Sequence, residues 1–341
     1  MKHNLAFSSL EPQISNACGF RRSATKSNFP VLHRLSLHEL VVNPGCFREP
    51  HWHANADELA YCTKGSALIT LFASGNQHAQ FPISAGEMFF IPSGQLHAIE
   101  STDAAGAEFI LTLSHEEPED FGLSGFAGCL TPAVLGNGWG LPANEIEGIT
   151  RSPKSIDFGK LAGQVEVPWT ASFGSPYKFA IEAKAPLAAN STGSAIVARR
   201  DSWPILRAQG MYSVRLTGTG MREPHWHPET AELGYVLEGK ARMTIQSPDG
   251  SADTYELNPG DIYFIPRAYP HHIENITDGE MHFLIFFDSP DVQDIGLSGG
   301  VASFADRILG PTLGLKPGQA AKIPRLPADL LIVGKTNPVD R

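Results

Sequence analysis

Two stretches of the chain carry residues whose types and spacing could hold metal ions. Residues 48–61 read REPHWHANADELAY, and residues 222–235 read REPHWHPETAELGY. Each places two histidines one residue apart and a glutamate soon after: His51, His53 and Glu58, then His225, His227 and Glu232. An extended strand sends alternate residues to one face, so each histidine pair points together. Trp52 and Trp226 must face the other way, as packing anchors on the outer face or at a subunit contact. After a short turn each glutamate can return to the pocket. A later histidine in each half completes the set, His97 in PSGQLHAIE and His271 in RAYPHHIEN. Three imidazoles and one carboxylate leave open positions on an octahedral ion, and they accept manganese, iron, zinc and others.

The elements that must position these residues repeat as the motif does. His51, Glu58, Gly65, Gly86, Pro92 and His97 each recur 174 residues later, as His225, Glu232, Gly239, Gly260, Pro266 and His271. The register continues to DFGLSG at 120–125 and DIGLSG at 294–299. The chain is therefore a tandem duplication. GSALITLFAS and GKARMTIQSP alternate like strands, while GEMFFIPSG and GDIYFIPRA are short apolar strands that end at proline. Many short strands with Gly, Pro, Asn and Asp turns predict an all-β protein of sandwich or jelly-roll barrels with short helical excursions. The expected division is a first domain at 1–152, a linker at 153–175 and a second domain at 176–341.

Composition narrows the partners. The 341 residues carry a formal net charge of −10 without a basic stripe, which disfavours nucleic acid and anionic membrane surfaces. Neither a secretory leader nor a membrane-spanning run is visible, so a cytoplasmic location is expected. Cys18, Cys46, Cys62 and Cys129 are too scattered for a disulfide framework and read as reduced thiols.

The two motifs resemble those of the cupin superfamily. Its first motif, G-x5-H-x-H-x(3,4)-E-x6-G, is met by Gly45, His51, His53, Glu58 and Gly65; its second, G-x5-P-x-G-x2-H-x3-N, by Gly86, Pro92, Gly94 and His97. Ser101 stands where Asn is expected, and in the second half Ala268 stands where Gly is expected. Gly220 lies one residue too near its histidine, while Asn275 keeps the pattern. Arg-Glu-x-His-Trp-His in both halves, GKARMTI and HHIENI make the chain most similar to the bicupin oxalate decarboxylases. The resemblance implies two double-stranded β-helix barrels, two divalent metal ions per chain with manganese foremost, and O2 as co-reactant. It also implies a trimeric or hexameric homo-oligomer and a small carboxylate substrate held by Arg48 and Arg222.

Simple alternation would face Arg48 away from His51 unless Pro50 rotates the chain. A bland role for Arg48 is an ion pair with Glu49. The decarboxylases carry a Ser-Glu-Asn-Ser lid where this chain has SHEEPEDFG, 114–122. Glu116, Glu117 and Glu119 are then the candidate proton carriers, although a solvated loop is the simpler role. Asp120 and Asp294 suit a turn or helix cap. His115, His272 and His282 read as structural or exposed.

A divalent ion, one carboxylate and one Arg give each site a charge of about +2, which a small dicarboxylate would neutralise. The function expected from the resemblance is that of a carboxy-lyase converting oxalate to formate and CO2, with the first site active because its loop is the more acidic. The alternatives are an oxalate oxidase, an iron-dependent cupin dioxygenase and a metal-binding bicupin without catalysis.

Overall fold

Strict alternation builds the barrel walls. Leu96–Ser101 sends His97, Ile99 and Ser101 inward and leaves the residues between them half-buried. His271–Asn275 does the same with His271, Ile273 and Asn275. The computed structural model describes residues 2–168, 174–326 and 328–339. Its contacts group the chain into two units, Leu10–Ala180 and Met1–Ser9 with Ile181–Arg341.

In the first unit the 16-residue strand Glu58–Ala73 pairs through its first half with Ala107–Leu113 and through its second half with Leu96–Ser101. It thereby joins both walls into one 12-stranded sheet among the described residues. In the second unit the same stretch breaks into Glu232–Glu238 and Ala241–Gln246, which leaves sheets of 7 and 6 strands. Each interior is apolar beyond the motif residues: Ile69, Phe89, Ile99 and Phe109 in one, Met243, Ile273, Phe283 and Phe287 in the other. Among the described residues no helix is long and apolar enough to cross a membrane.

Two motif glycines show why the pattern is written as it is. Gly65 has φ +70°, and a Cβ there would lie 1.9 Å from the Gly106 carbonyl oxygen. Gly94 also turns left-handed, and its backbone N–H donates to the His53 carbonyl at 2.8 Å. Ala268, where the pattern departs, keeps φ at 62° and donates to the His227 carbonyl at 3.0 Å. The turn survives the substitution at a cost of about 1 kcal/mol in backbone strain.

The boundaries differ from those expected. Asn4–Leu5 pairs with Ile262–Ile265 of the second unit, and Lys178–Phe179 pairs with Met88–Ile91 of the first. These short strands are themselves 174 residues apart, and each covers an edge that would otherwise be open. Within the expected linker, Phe158–Lys160 pairs with Cys46–His53 and so forms part of the first barrel's wall. Residues 169–173 of that linker lie outside the described residues. Helices Leu123–Cys129 and Pro132–Trp139 follow the first barrel's strands, and Leu297–Ala302 and Asp306–Leu313 follow the second's, as the excursions predict.

The N-terminal segment is anchored by Phe7, only 1% exposed, and by the Ser8 N–H, which donates to the Gly260 carbonyl at 3.0 Å. Phe7→Ala should cost about 3 kcal/mol, the usual penalty for a buried phenylalanine. Scanning calorimetry checks this, and an unchanged unfolding endotherm would contradict it.

Candidate metal centres

The strand Cys46–His53 carries the first site, and its irregularity matters more than its alternation. Pairing with Leu96–Ser101 matches Arg48 to Ile99 and His51 to His97. Two residues on one strand, Glu49 and Pro50, thus oppose one on the other, Ala98, which is a bulge. The bulge shifts the phase by one, so Arg48, His51 and His53 are all buried. The second barrel repeats this, with Arg222 opposite Ile273 and His225 opposite His271. Simple alternation thus misplaces Arg48, and the bulge corrects it.

His51, His53, Glu58 and His97 converge, as do His225, His227, Glu232 and His271. Within each set the candidate ligand atoms all lie within 4.8 Å of one another, and every residue is buried. Backbone carbonyls orient the rings. His51 Nδ1 donates to the Glu49 carbonyl at 2.8 Å, and His97 Nδ1 to that of Gln95 at 3.0 Å. In the second set His225, His227 and His271 donate to Glu223, Gln293 and Tyr269 at 2.7, 3.0 and 3.0 Å. A carbonyl accepts only, so these rings carry the proton on Nδ1 and turn the Nε2 lone pair inward.

The donor set then demands a cation. His227 Nε2 lies 2.8 Å from Glu232 Oε2, and His271 Nε2 lies 3.3 Å from the same oxygen. Two acceptors at such distances repel unless a proton or metal stands between them. His97 Nε2 and His271 Nε2 are buried without a hydrogen-bond partner, as is Glu58 Oε1. Burial, followed by the field of Arg48, holds His51 well below the ordinary histidine range; burial and Arg222 do the same to His225. Burial opposes the charge on Glu58, but the adjoining His53 and His97 rings outweigh it and hold the carboxyl well below its usual range. Neutral imidazoles and an ionised carboxylate are the states a divalent ion takes up. The residues fit the ion that the motif implies.

Around the first set lies a cavity of about 20 Å³, bounded beyond the ligands by Arg21, His38, Leu40, Arg48, Leu111 and Leu113. That is just above the ~10–15 Å³ that one water centre needs. Arg48 does not pair with Glu49. Its Nη2 donates to Asp120 Oδ2 at 2.7 Å, and its Nη1 donates to the Asp157 carbonyl at 3.1 Å. Asp120 caps no helix; it lies in the short strand Asp120–Gly122, opposite His53. Burial works against the Asp120 charge, but Arg48, His53 and Arg21 lower its pKa to about 2. A charge count from ligands and Arg alone therefore overstates the site, because Asp120 offsets Arg48. Glu49 faces the other way and ties the excursion down, accepting from Asp157 N at 2.7 Å and Ser124 N at 3.0 Å. Glu223 accepts likewise from Leu330 N and Leu331 N, at 2.8 and 2.9 Å. The repeated Arg-Glu pair was the available signal for both roles.

Glu116, Glu117 and Glu119 do not line this cavity. Glu116 accepts from Arg34 N at 2.8 Å, and Glu117 accepts from Ser27 N and Oγ at 2.5 and 2.7 Å. Partial burial opposes the charge on Glu116, yet backbone N–H groups hold its carboxyl below the usual range. Glu119 is exposed, and only its backbone is bonded, its N–H donating to Asn55 Oδ1 at 2.9 Å. Trp52 points outward and stacks on Phe121, with ring centroids 5.5 Å apart. His282 is buried against Ser213 Oγ at 2.8 Å, and His115 accepts from Glu117 N at 3.0 Å.

The second set has different surroundings. Arg222 Nη2 donates to Asp294 and its Nη1 to the Leu331 carbonyl at 2.9 Å, much as in the first. Tyr263, however, donates to Glu232 Oε1 at 2.7 Å, where the first barrel has Phe89 and leaves Glu58 Oε1 bare. Phe287 stands 4.9 Å from the His227 ring and 4.8 Å from Tyr212, in the positions of Leu113 and His38. The aromatic rings of Tyr212 and Phe287 thus stand where His38 and Leu113 line the cavity beside the first set.

Two complete sets predict about two bound transition-metal ions per chain. His53→Ala should remove one and leave the other, as read by elemental analysis of protein loaded with manganese. One ion or none in the unmutated protein would contradict this.

Comparison with known proteins agrees with this geometry. Oxalate decarboxylase OxdC of Bacillus subtilis is 28% identical over 310 residues, which are 87% of this chain and 78% of that protein. A probable oxalate decarboxylase of Arthroderma benhamiae is 26% identical over 296 residues, 82% of this chain and 71% of its own length. The solved structure of the Bacillus subtilis enzyme at pH 4.6 superposes with a TM-score of 0.87 at 24% identity, covering 98% of this chain and 88% of that one. The sequence profile of the family described as Cupin matches residues 6–147 and again 179–316, one copy for each barrel. The chain belongs to the cupin family, as a bicupin homologous to oxalate decarboxylases.

Proposed function

We propose that the protein is a manganese-dependent oxalate decarboxylase, converting oxalate to formate and CO2 at the first barrel. The observation that supports this most directly is the cavity lined by His51, His53 and Glu58 together with Arg48. A guanidinium presents a planar fork that matches a carboxylate in two hydrogen bonds. Relatives named as oxalate decarboxylases cover most of the chain, and one solved relative is described by its Mn(II) centres.

When bound, a divalent manganese ion supplies a Lewis-acid anchor for one carboxylate and a one-electron couple, with O2 as the implied co-reactant. The chain's own residues do the rest. Arg48 binds the far carboxylate, and Leu40, Leu111 and Leu113 exclude water from the carbon that must be protonated. Hydrogen oxalate already holds the atoms of formate and CO2. A side chain therefore takes one proton from the substrate and returns it to carbon as CO2 leaves, without net oxidation. Among Glu116, Glu117 and Glu119 we assign this role to Glu119, whose carboxylate is the one not tied to residues 27–34. It must swing inward to act.

The Mn-loaded protein supplied with O2 should release CO2 and formate from oxalate in equal amounts. Arg48→Lys should lower turnover by about a hundredfold, since a point charge does not replace the fork, while Arg222→Lys should matter less. Glu119→Gln should abolish formate yet leave metal content unchanged. Peroxide instead of formate would mean an oxidase, and no consumption of oxalate would sink the reading.

We also propose a homo-oligomer, a trimer or a dimer of trimers. Phe126, Val134 and Trp139 on the first excursion, and Phe304, Ile308 and Leu313 on the second, are exposed apolar side chains that association would cover. Sedimentation showing only a 36.8 kDa species would remove it.

A further inference from the structure

Arg48 as it stands is not free to hold a substrate. Its Nη2 is already 2.7 Å from Asp120 Oδ2, its Nη1 is on the Asp157 carbonyl with Asp157 Oδ1 at 3.2 Å, and its side chain is 2% exposed. A carboxylate entering the cavity must displace Asp120 from that guanidinium. A buried carboxylate stripped of its partner is costly unless another cation takes it.

Such a cation is present. Arg21, on the strand Gly19–Ala24, donates from Nη1 to the same Asp120 Oδ2 at 2.5 Å and lines the same cavity. Arg21 Nε is buried without a partner, and so is Asp120 Oδ1. One donor and one acceptor are thus in reserve on the two side chains that would have to draw together. Among the described residues the second barrel lacks the arrangement. Ala195 occupies the position of Arg21, paired with Val214 as Arg21 is with Leu40. Asp294 is then left with Arg222, with His227 Nδ1 at 3.5 Å and with the Tyr212 hydroxyl at 3.4 Å, none of them a second guanidinium.

We propose that Arg21 is a positioning residue that takes Asp120 from Arg48 when a small carboxylate binds, so that only the first barrel offers its motif arginine to substrate. The inference rests on the reading of the first cavity as a carboxylate site. Arg21 need not touch substrate. It acts by making the exchange of Asp120 between two guanidinium groups nearly neutral in energy, and Ala195 denies that exchange to the second barrel.

The test is calorimetric titration of oxalate into the Mn-loaded protein without O2, beside KM and kcat measured with O2, for R21A, R21K, D120N and R21A/D120N. Removing Arg21 should weaken oxalate binding on the order of tenfold, the loss expected for one charge-assisted hydrogen bond. KM should rise with it, kcat should change less, and R21K should recover part of the affinity. With Asp120 neutralised no exchange is needed, so R21A should change affinity by less than about twofold in the D120N background. Unaltered affinity in R21A, or the same loss with and without Asp120, would overturn the inference. Oxalate bound but not turned over by the unmutated protein removes the decarboxylase reading alone, because the calorimetric comparison still decides the role of Arg21. No oxalate binding by the unmutated protein removes both.

Discussion

Each barrel of this protein is organised around an electrostatic demand that its own side chains do not meet. Imidazoles whose Nδ1 protons are committed to backbone carbonyls turn Nε2 lone pairs toward one buried, ionised glutamate. In a low-dielectric interior such a cluster of acceptors is unfavourable unless a cation joins it. The walls around it have a clear task. The apolar cores formed by Phe89 and Phe109, or by Phe283 and Phe287, keep water from satisfying the lone pairs instead. Metal binding and folding are therefore linked, and the ligands come from three separated strands because only the closed barrel brings them together.

The bulge at Pro50 and Pro224 connects this demand to chemistry. Without it the strand would present two histidines inward and leave the arginine outside. With the phase shifted, Arg48 and Arg222 face inward, and Glu49 and Glu223 face the excursions, where their carboxylates accept backbone N–H groups. A single extra residue thus gives two adjacent charged side chains opposite tasks, one beside the metal ligands and one holding the excursion.

Duplication preserved the ligands and let their surroundings diverge. Tyr263 and Phe287 stand against the second set, at the positions that Phe89 and Leu113 hold in the first. Glu232 has a hydroxyl on its second oxygen, and Glu58 has none. Identical ligands thus stand in unequal surroundings. The presence of Arg21 against Ala195 extends the same asymmetry to the arginine beside the ligands.

The residue types and the 174-residue register by themselves determined the duplicated β fold and the eight candidate metal-ligand positions. Period-2 alternation and ligand spacing are local properties, and a complete donor pattern written twice carries its meaning without coordinates. What required tertiary structure was every contact made across strands. The Arg48–Asp120 pair spans 72 residues and the Glu49–Asp157 bond spans 108, and no local spacing announces either. Asp120 reads as a turn or a cap because it precedes a helix; it meets Arg48 because its short strand pairs opposite His53. The edge strands at residues 4–5 and 178–179 were equally hidden, since two-residue strands have no periodicity to read. The acidic loop shows the same limit, because its composition does not reveal that Glu116 and Glu117 are spent on backbone N–H groups of residues 27–34. Local pattern decides which side chains share a face, and only the closure of the barrel decides which faces meet.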